Sequence, residues 1–158
     1  MLIRKVLSGG QTGVDRAALD WAICKGVEHG GWCPKGRLAE DGPIHMRYHL
    51  TETPTLDHCE RTEWNVRDSD GTVIFSGTEP LAGGSLLTLE MAIKHRKPYL
   101  HLQSTRDENP GETLRQWIQQ HRIQILNVAG PRASEEPEIS KFVTHILNEA
   151  LPSRAPRT

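Results

Sequence analysis

The 158-residue sequence predicts a single α/β domain, a parallel doubly wound sheet of about five strands with helices on both faces. Three observations carry this. Short aliphatic runs alternate with segments whose apolar residues recur at helical spacing, the pattern of parallel βαβ units. Two of the runs end in glycine-rich turns that lead straight into a helix. The length fits one domain, since domains run roughly 100–200 residues. Residues 1–151 are assigned to it and 152–158 to a flexible tail.

Leu2 to Leu7 is a first strand bounded by Ser8-Gly9-Gly10, and Val14, Ala17, Ala18, Trp21 and Ala22 mark a helix running to about Gly26. Gly31-Trp32-Cys33 reads as the second strand, closed by Pro34, and Lys35 to His49 as an irregular stretch. A loop of that length is more often functional than filler. Leu56 to Arg67 is helix-compatible, and Thr72 to Phe75 is a buried strand. The loop Ser76 to Ser85 opens into a helix over Leu86 to His95, apolar nearly all round and so expected to be buried. A strand at Pro98–Leu102, a helix at Leu114–His121, a strand at Ile123–Val128 and an amphipathic helix over Pro137–Leu151 complete the chain. Ligands of such sheets sit beyond the carboxyl ends of the strands, so function is sought in the loops after the first strand and after Phe75.

Composition narrows the partners. With 19 basic and 20 acidic residues, a net charge of −1 and no tract of like charge, there is no electrostatic case for nucleic acid or an anionic membrane. The N-terminal apolar run is far short of the ~20 residues of a membrane span. Cys24, Cys33 and Cys59 form neither a disulfide framework nor a zinc knuckle, so a cytoplasmic protein with reduced thiols is expected.

The chemistry-bearing residues cluster at the turns. Ser8, Gly9, Gly10, Gln11, Thr12 and Gly13 lie between a strand and a helix, where glycines let backbone approach an anion and the first helical turn offers unpaired N–H groups. The alternative is a plain turn with Thr12 as helix cap. Asp15 in the first helical turn suits either the helix dipole or a ligand hydroxyl. Gly83, Gly84 and Ser85 form a second such turn, and two in one small domain point to a converging site for a phosphorylated small molecule. Arg61 and Asn65, four apart, project from one helix face. Lys35 follows the second strand, where a cation suits phosphate. Glu90 shares a face with Leu86, Leu89 and Ile93, where a carboxylate is costly unless paired or functional. Asp68 and Asp70 are read as turn residues, and no metal site is assigned.

The segments SGGQTGVDRAALDWA, GGWCPKGRLAEDGP, RTEWNVRDSDGTVIF and LAGGS…TLEMA resemble the molybdenum carrier family over most of residues 5 to 100. That family belongs to a Rossmann-like nucleotide-binding group with the molybdenum cofactor carriers and the Lonely-Guy phosphoribohydrolases. The resemblance implies a Rossmann-like sheet, a nucleotide-like ligand or the molybdenum cofactor, and a homo-oligomer. Against the phosphoribohydrolase pattern, an Arg-Lys pair followed by PGGxGTxxE, Arg61 matches the arginine and Thr62 stands at the lysine. Gly83, Gly84 and Glu90 keep their spacing, while Leu86 and Leu87 replace the Gly-Thr. Two readings follow: a binding or carrier protein for a phosphorylated nucleotide-like or molybdopterin-type anion, or a hydrolase of the N-glycosidic bond of nucleoside 5′-monophosphates using Glu90 and Arg61.

Overall fold

A computed structural model of the chain describes residues 3–77 and 80–152, so Met1, Leu2 and the tail beyond Pro152 lie outside the described residues. In chain order the elements are β1 (Lys5–Leu7), α1 (Val14–Lys25), β2 (Glu28–Gly30), β3 (Trp32–Cys33), β4 (Leu38–Ala39), β5 (Gly42–Pro43) and β6 (Thr51–Glu52). Then come α2 (His58–Arg67), β7 (Gly71–Ser76), α3 (Gly83–Lys94), β8 (Tyr99–Gln103), α4 (Pro110–Gln120), β9 (Ile125–Ala129) and α5 (Ile139–Ala150). The main sheet has five strands, all parallel, in the order β2-β1-β9-β7-β8.

The last of these strands in the chain is central in space. If β9 and α5 are read ahead of β1, the strands number β9, β1, β2, β7, β8 and the spatial order becomes 3-2-1-4-5, the doubly wound nucleotide-binding order. The chain is a circular permutation of that fold. Its switch point, where neighbouring strands send their chains to opposite faces, falls between β9 and β7.

Strand alternation writes two unlike faces. Val73 and Phe75 of β7 and Leu126 and Val128 of β9 point to one side, into a continuous aliphatic core with α1, α4 and α5. Ala17, Trp21, Leu114, Ile118, Val143, Ile146 and Leu147 fill it. The alternate residues Thr72 and Ser76 of β7 and Asn127 of β9 face the other side, toward α2 and α3, and all three are buried polar groups. There α3 turns Ser85, Thr88 and Ala92 inward and leaves Leu86 and Ile93 39% and 58% exposed. The expectation of a buried α3 is therefore corrected. The sheet surface beneath it mixes the polar Thr72, Ser76 and Asn127 with Ile74, and the helix presents its small and hydroxyl-bearing stripe inward and its aliphatic stripe to the outside.

The second sheet strand also differs from the sequence reading. It is β2, Glu28–Gly30, while Trp32–Cys33 pairs with β6 in a separate two-stranded ribbon. Gly31 separates them at φ 127°, and a Cβ there would come within 2.8 Å of the Ser8 amide nitrogen. The chain must swing sharply away from β1 at that point, and a non-glycine residue would block it. The stretch after Pro34 contains the β4–β5 hairpin, and its Ile44 and Tyr48 pack with Leu19 of α1 and Cys33 of β3 in a small second cluster.

Candidate functional site

A cleft of about 230 Å³ opens at the carboxyl ends of β9 and β7, at the switch point. Four segments line it: the turn after β1 (Gly9, Gln11, Asp15), one face of α2, the start of α3, and the turn after β9. The two glycine-rich helix starts thus meet at one cavity, though they contribute differently.

In the first turn most amides are already engaged. Ser8 Oγ donates to Asp15 O (2.9 Å) and accepts from the Gly10 amide (3.2 Å). The Gln11 amide donates to Asp15 Oδ2 (3.3 Å), the Thr12 amide to Gln11 Oε1 (3.0 Å), and the Val14 amide to Pro131 O (3.2 Å). A ring of free donors from Gly9 to Gly13 is therefore not what the fold provides, because the buried Asp15 carboxylate and its neighbours claim them. Nor does Thr12 cap α1; Gly13 holds that position without a side-chain bond.

The second turn is open. Among the described residues, nothing accepts from the amides of Gly83 and Gly84, and Ser85 and Leu86 both donate back to Ala82 O. Unpaired N–H groups at the start of a twelve-residue helix carry partial positive charge toward the cavity. Ala82, Gly84, Ser85 and Thr88 line the cleft.

The α2 side is a single stripe. His58, Arg61, Thr62 and Asn65 fall at i, i+3, i+4 and i+7 and all line the cavity. Asp57 begins the helix by accepting from the Cys59 amide (2.9 Å). Asn65 is pinned to Trp32, accepting from its amide (2.8 Å) and donating to its carbonyl (3.0 Å), so it fixes α2 against β3. Arg61 lies across the first turn and donates from Nη1 to Gly9 O (3.0 Å). A Cβ at Gly9 would sit 2.9 Å from Arg61 Cδ, so glycine is what admits the guanidinium. Among the described residues Nη2 has no partner.

Charge in the cleft is mixed. Arg61 Nη1 stands 3.8 Å from Asp15 Oδ2, and both side chains are nearly buried. Burial pushes the Asp15 carboxyl up to about 6, against the opposing pull of Arg61, the Gln11 amide and Arg16. Burial first, then Arg61 and Arg132, lowers His58, favouring its neutral form. Arg132 and Glu135 enter from the turn after β9 and pair at 3.0 Å.

Two expected site residues lie elsewhere. Glu90 is exposed and does not line the cleft; it stands about 200° around α3 from the inward-facing Thr88. Lys35 is exposed and also away from the cavity. Asp68 and Asp70 serve structure: Asp70 Oδ2 accepts from the Gln124 and Ile125 amides, and Asp68 binds Arg67 and the Trp32 indole. Among the described residues no group of three histidines, cysteines or carboxylates could hold a metal ion, and no helix is long and apolar enough to cross a membrane.

Sequence reasoning missed several participants. His58 and Thr62 extend the Arg61–Asn65 periodicity and were legible from it. The Asn127–Arg132 segment was not, because only the permuted strand order puts it at the switch point. A recess of about 140 Å³ shares Ala82, Ser85, Pro131 and Glu135 with the cleft. At its edge Ser76 Oγ lies 2.6 Å from His101 Nε2, a pair brought together by the β7–β8 register.

Fold and cleft together define a Rossmann-like α/β protein with an anion-compatible cavity at the switch point of a permuted sheet. The chain belongs to the circularly permutated YpsA SLOG family, which it matches over residues 6–151. A crystal structure of a putative molybdenum carrier protein from Syntrophus aciditrophicus is similar, with 48% identity, a TM-score of 0.92, and coverage of 94% of this chain and 95% of that one. No curated protein matches.

Proposed function

We propose that this protein binds and carries a phosphorylated nucleotide-like or molybdopterin-type anion, its phosphate seated between the α3 N-terminus and Arg61. The observation that carries this is the pair of free amides that opens α3, of which Gly84 lines the same cavity as a guanidinium with an unpaired Nη2. Amides, the hydroxyls of Thr62 and Ser85, and one arginine suit a tetrahedral oxyanion, while the Thr88 hydroxyl donates to Gly84 O instead (2.8 Å). They suit phosphate and molybdate alike, so the name of the Syntrophus protein fits a cargo held as an oxyanion or through a pterin phosphate. At about 230 Å³ the cleft is smaller than the roughly 300–1,000 Å³ of pockets enclosing whole drug-sized ligands, so it would grip the phosphate end and leave the remainder at the mouth.

The test is thermal unfolding with adenosine and guanosine 5′-monophosphates, a pterin phosphate and molybdate. A true ligand at a hundred times its Kd stabilises by about 2.7 kcal/mol. A melting temperature unmoved by the whole panel at millimolar concentration would overturn the proposal.

One observation favours a second reading, the nucleoside-monophosphate hydrolase. Glu90 is off the cleft, but Asp15 is a buried cleft carboxylate with a pKa raised into the range of a general acid or base. Release of free base from a nucleoside monophosphate, abolished by Asp15→Asn, would select it; saturable binding without release selects the carrier.

A further inference from the structure

The tip of the β4–β5 hairpin carries two carboxylates, and both reach back over the first glycine-rich turn. Asp41 holds Arg16 in a two-bond fork at 2.6 and 3.1 Å, an ordinary ion pair. Glu40 is different, because its oxygens collect donors from two loops far apart in sequence. Oε1 accepts from the Ser134 amide (3.1 Å) and from the Thr12 hydroxyl. Oε2 accepts from Ser134 Oγ (2.6 Å) and stands 3.9 Å from Arg132 Nε. The Thr12 hydroxyl is itself oriented by the Ala133 amide, which donates to it at 3.1 Å. One amide, two hydroxyls and a guanidinium thus surround a single two-oxygen anion. Hydrogen bonds from Ser134 and Thr12, the largest influences, hold the Glu40 carboxyl below its ordinary range. Such surroundings select negative charge.

The anion that fills them is tethered to a short hairpin whose Leu38 is 50% exposed and whose apolar anchorage comes from the partly buried Ala39. The Glu40 amide adds one bond, donating to Gln11 Oε1 at 2.8 Å. Arg132 links this cluster to the cleft it also lines, and its pairing with Glu135 leaves the hydroxyls and the amide as the principal donors.

We propose that Thr12, Arg132 and Ser134 form a second oxyanion subsite beside the cleft, and that the Glu40 carboxylate fills it until a phosphate-type group of the ligand displaces it. The subsite is defined by Glu40 alone. It rests on the reading of the cleft only in the claim that one ligand spans both, which makes that ligand a carrier of two anionic groups, such as a nucleoside diphosphate or a pyrophosphate ester. An internal occupant lowers apparent affinity by the fraction of time the subsite is open.

The experiment is calorimetric titration of inorganic phosphate and inorganic pyrophosphate into the wild-type protein and into Glu40→Ala, Glu40→Gln, Glu40→Ala/Arg61→Ala and Glu40→Ala/Arg132→Ala. If the subsite is open about a tenth of the time, Glu40→Ala tightens pyrophosphate about tenfold and Glu40→Gln does so less strongly. The gain survives Arg61→Ala and is reduced, not abolished, with Arg132→Ala. Folded Glu40→Ala that binds both probes no better than wild type overturns the proposal; should that variant not fold, Glu40→Gln with wild-type affinity does the same. Phosphate binding by Glu40→Ala but not by wild type upholds the subsite and sinks the reading of the cleft. Nucleotide binding by wild type with no change in Glu40→Ala does the reverse.

Discussion

The two faces of the sheet are made by the same strands and behave as different materials. On the side of α1, α4 and α5, Val73, Phe75, Leu126 and Val128 join the buried apolar side chains of the helices in one continuous cluster. On the side of α2 and α3, the buried groups include Thr72, Ser76, Asn127, Asn65, Ser85 and Thr88, and a cleft remains. Close packing stabilises the first face; paired polar groups beside an open cleft define the second. Stability and recognition are therefore divided by the pleat of individual strands rather than by separate regions of chain.

Neighbouring residues of β9 give the sharpest test. Leu126 is fully buried on the dry side, and Leu126→Ala should cost about 2–5 kcal/mol in chemical denaturation while leaving ligand affinity of the folded fraction unchanged. If that variant instead lost affinity and kept its stability, the division would be wrong.

Next in size is the carboxylate buried on the wet side. Its folded pKa, about 6, lies above the ordinary 3.8, so folding favours its protonated form. That stability is fully present below about pH 4 and is lost as pH rises through about 6, a loss on the order of 3 kcal/mol. Asp15→Asn should match wild type near pH 4 and be more stable at pH 7.5. Parallel melting curves across that range would remove the argument.

Arg61→Ala acts on the recognition side. It should weaken phosphate-ligand binding by roughly 10–100-fold, the scale of a hydrogen bond to a charged group. Retained affinity in titration calorimetry would move the anion away from Arg61. The smallest effect belongs to Glu90→Gln, outside both faces. Its stability should change by no more than about 0.5 kcal/mol and its ligand affinity not at all.

Much of this was legible in the sequence where local chemistry decides. The glycine turns at Ser8 and Gly83, the Arg61–Asn65 periodicity and the buried β7 strand followed from spacing and residue type. What was not legible depends on pairing between distant segments. Glu28-His29-Gly30 has no strand-like composition and joins the sheet only because β1 lies beside it. α3 looked buried because hydrophobicity says how much of a helix is apolar, not which stripe the sheet will meet. Asp15 could be read either way from the sequence because its burial, and the approach of Arg61 from α2, belong to the assembled fold. Arg132 and Ser134 were overlooked because the position of β9 is a property of the assembled sheet.

That position has a consequence for the protein as it is made. β9 leaves the ribosome after every other strand, yet it must be inserted between β1 and β7, which have no other bridge across the sheet's middle. A nascent chain can form its outer pairs early, β1 with β2 and β7 with β8, but these remain two halves with exposed edges. Until the final strand slots in, the floor of the cavity does not exist, so an emerging polypeptide is blind to its ligand and gains no help from it in folding.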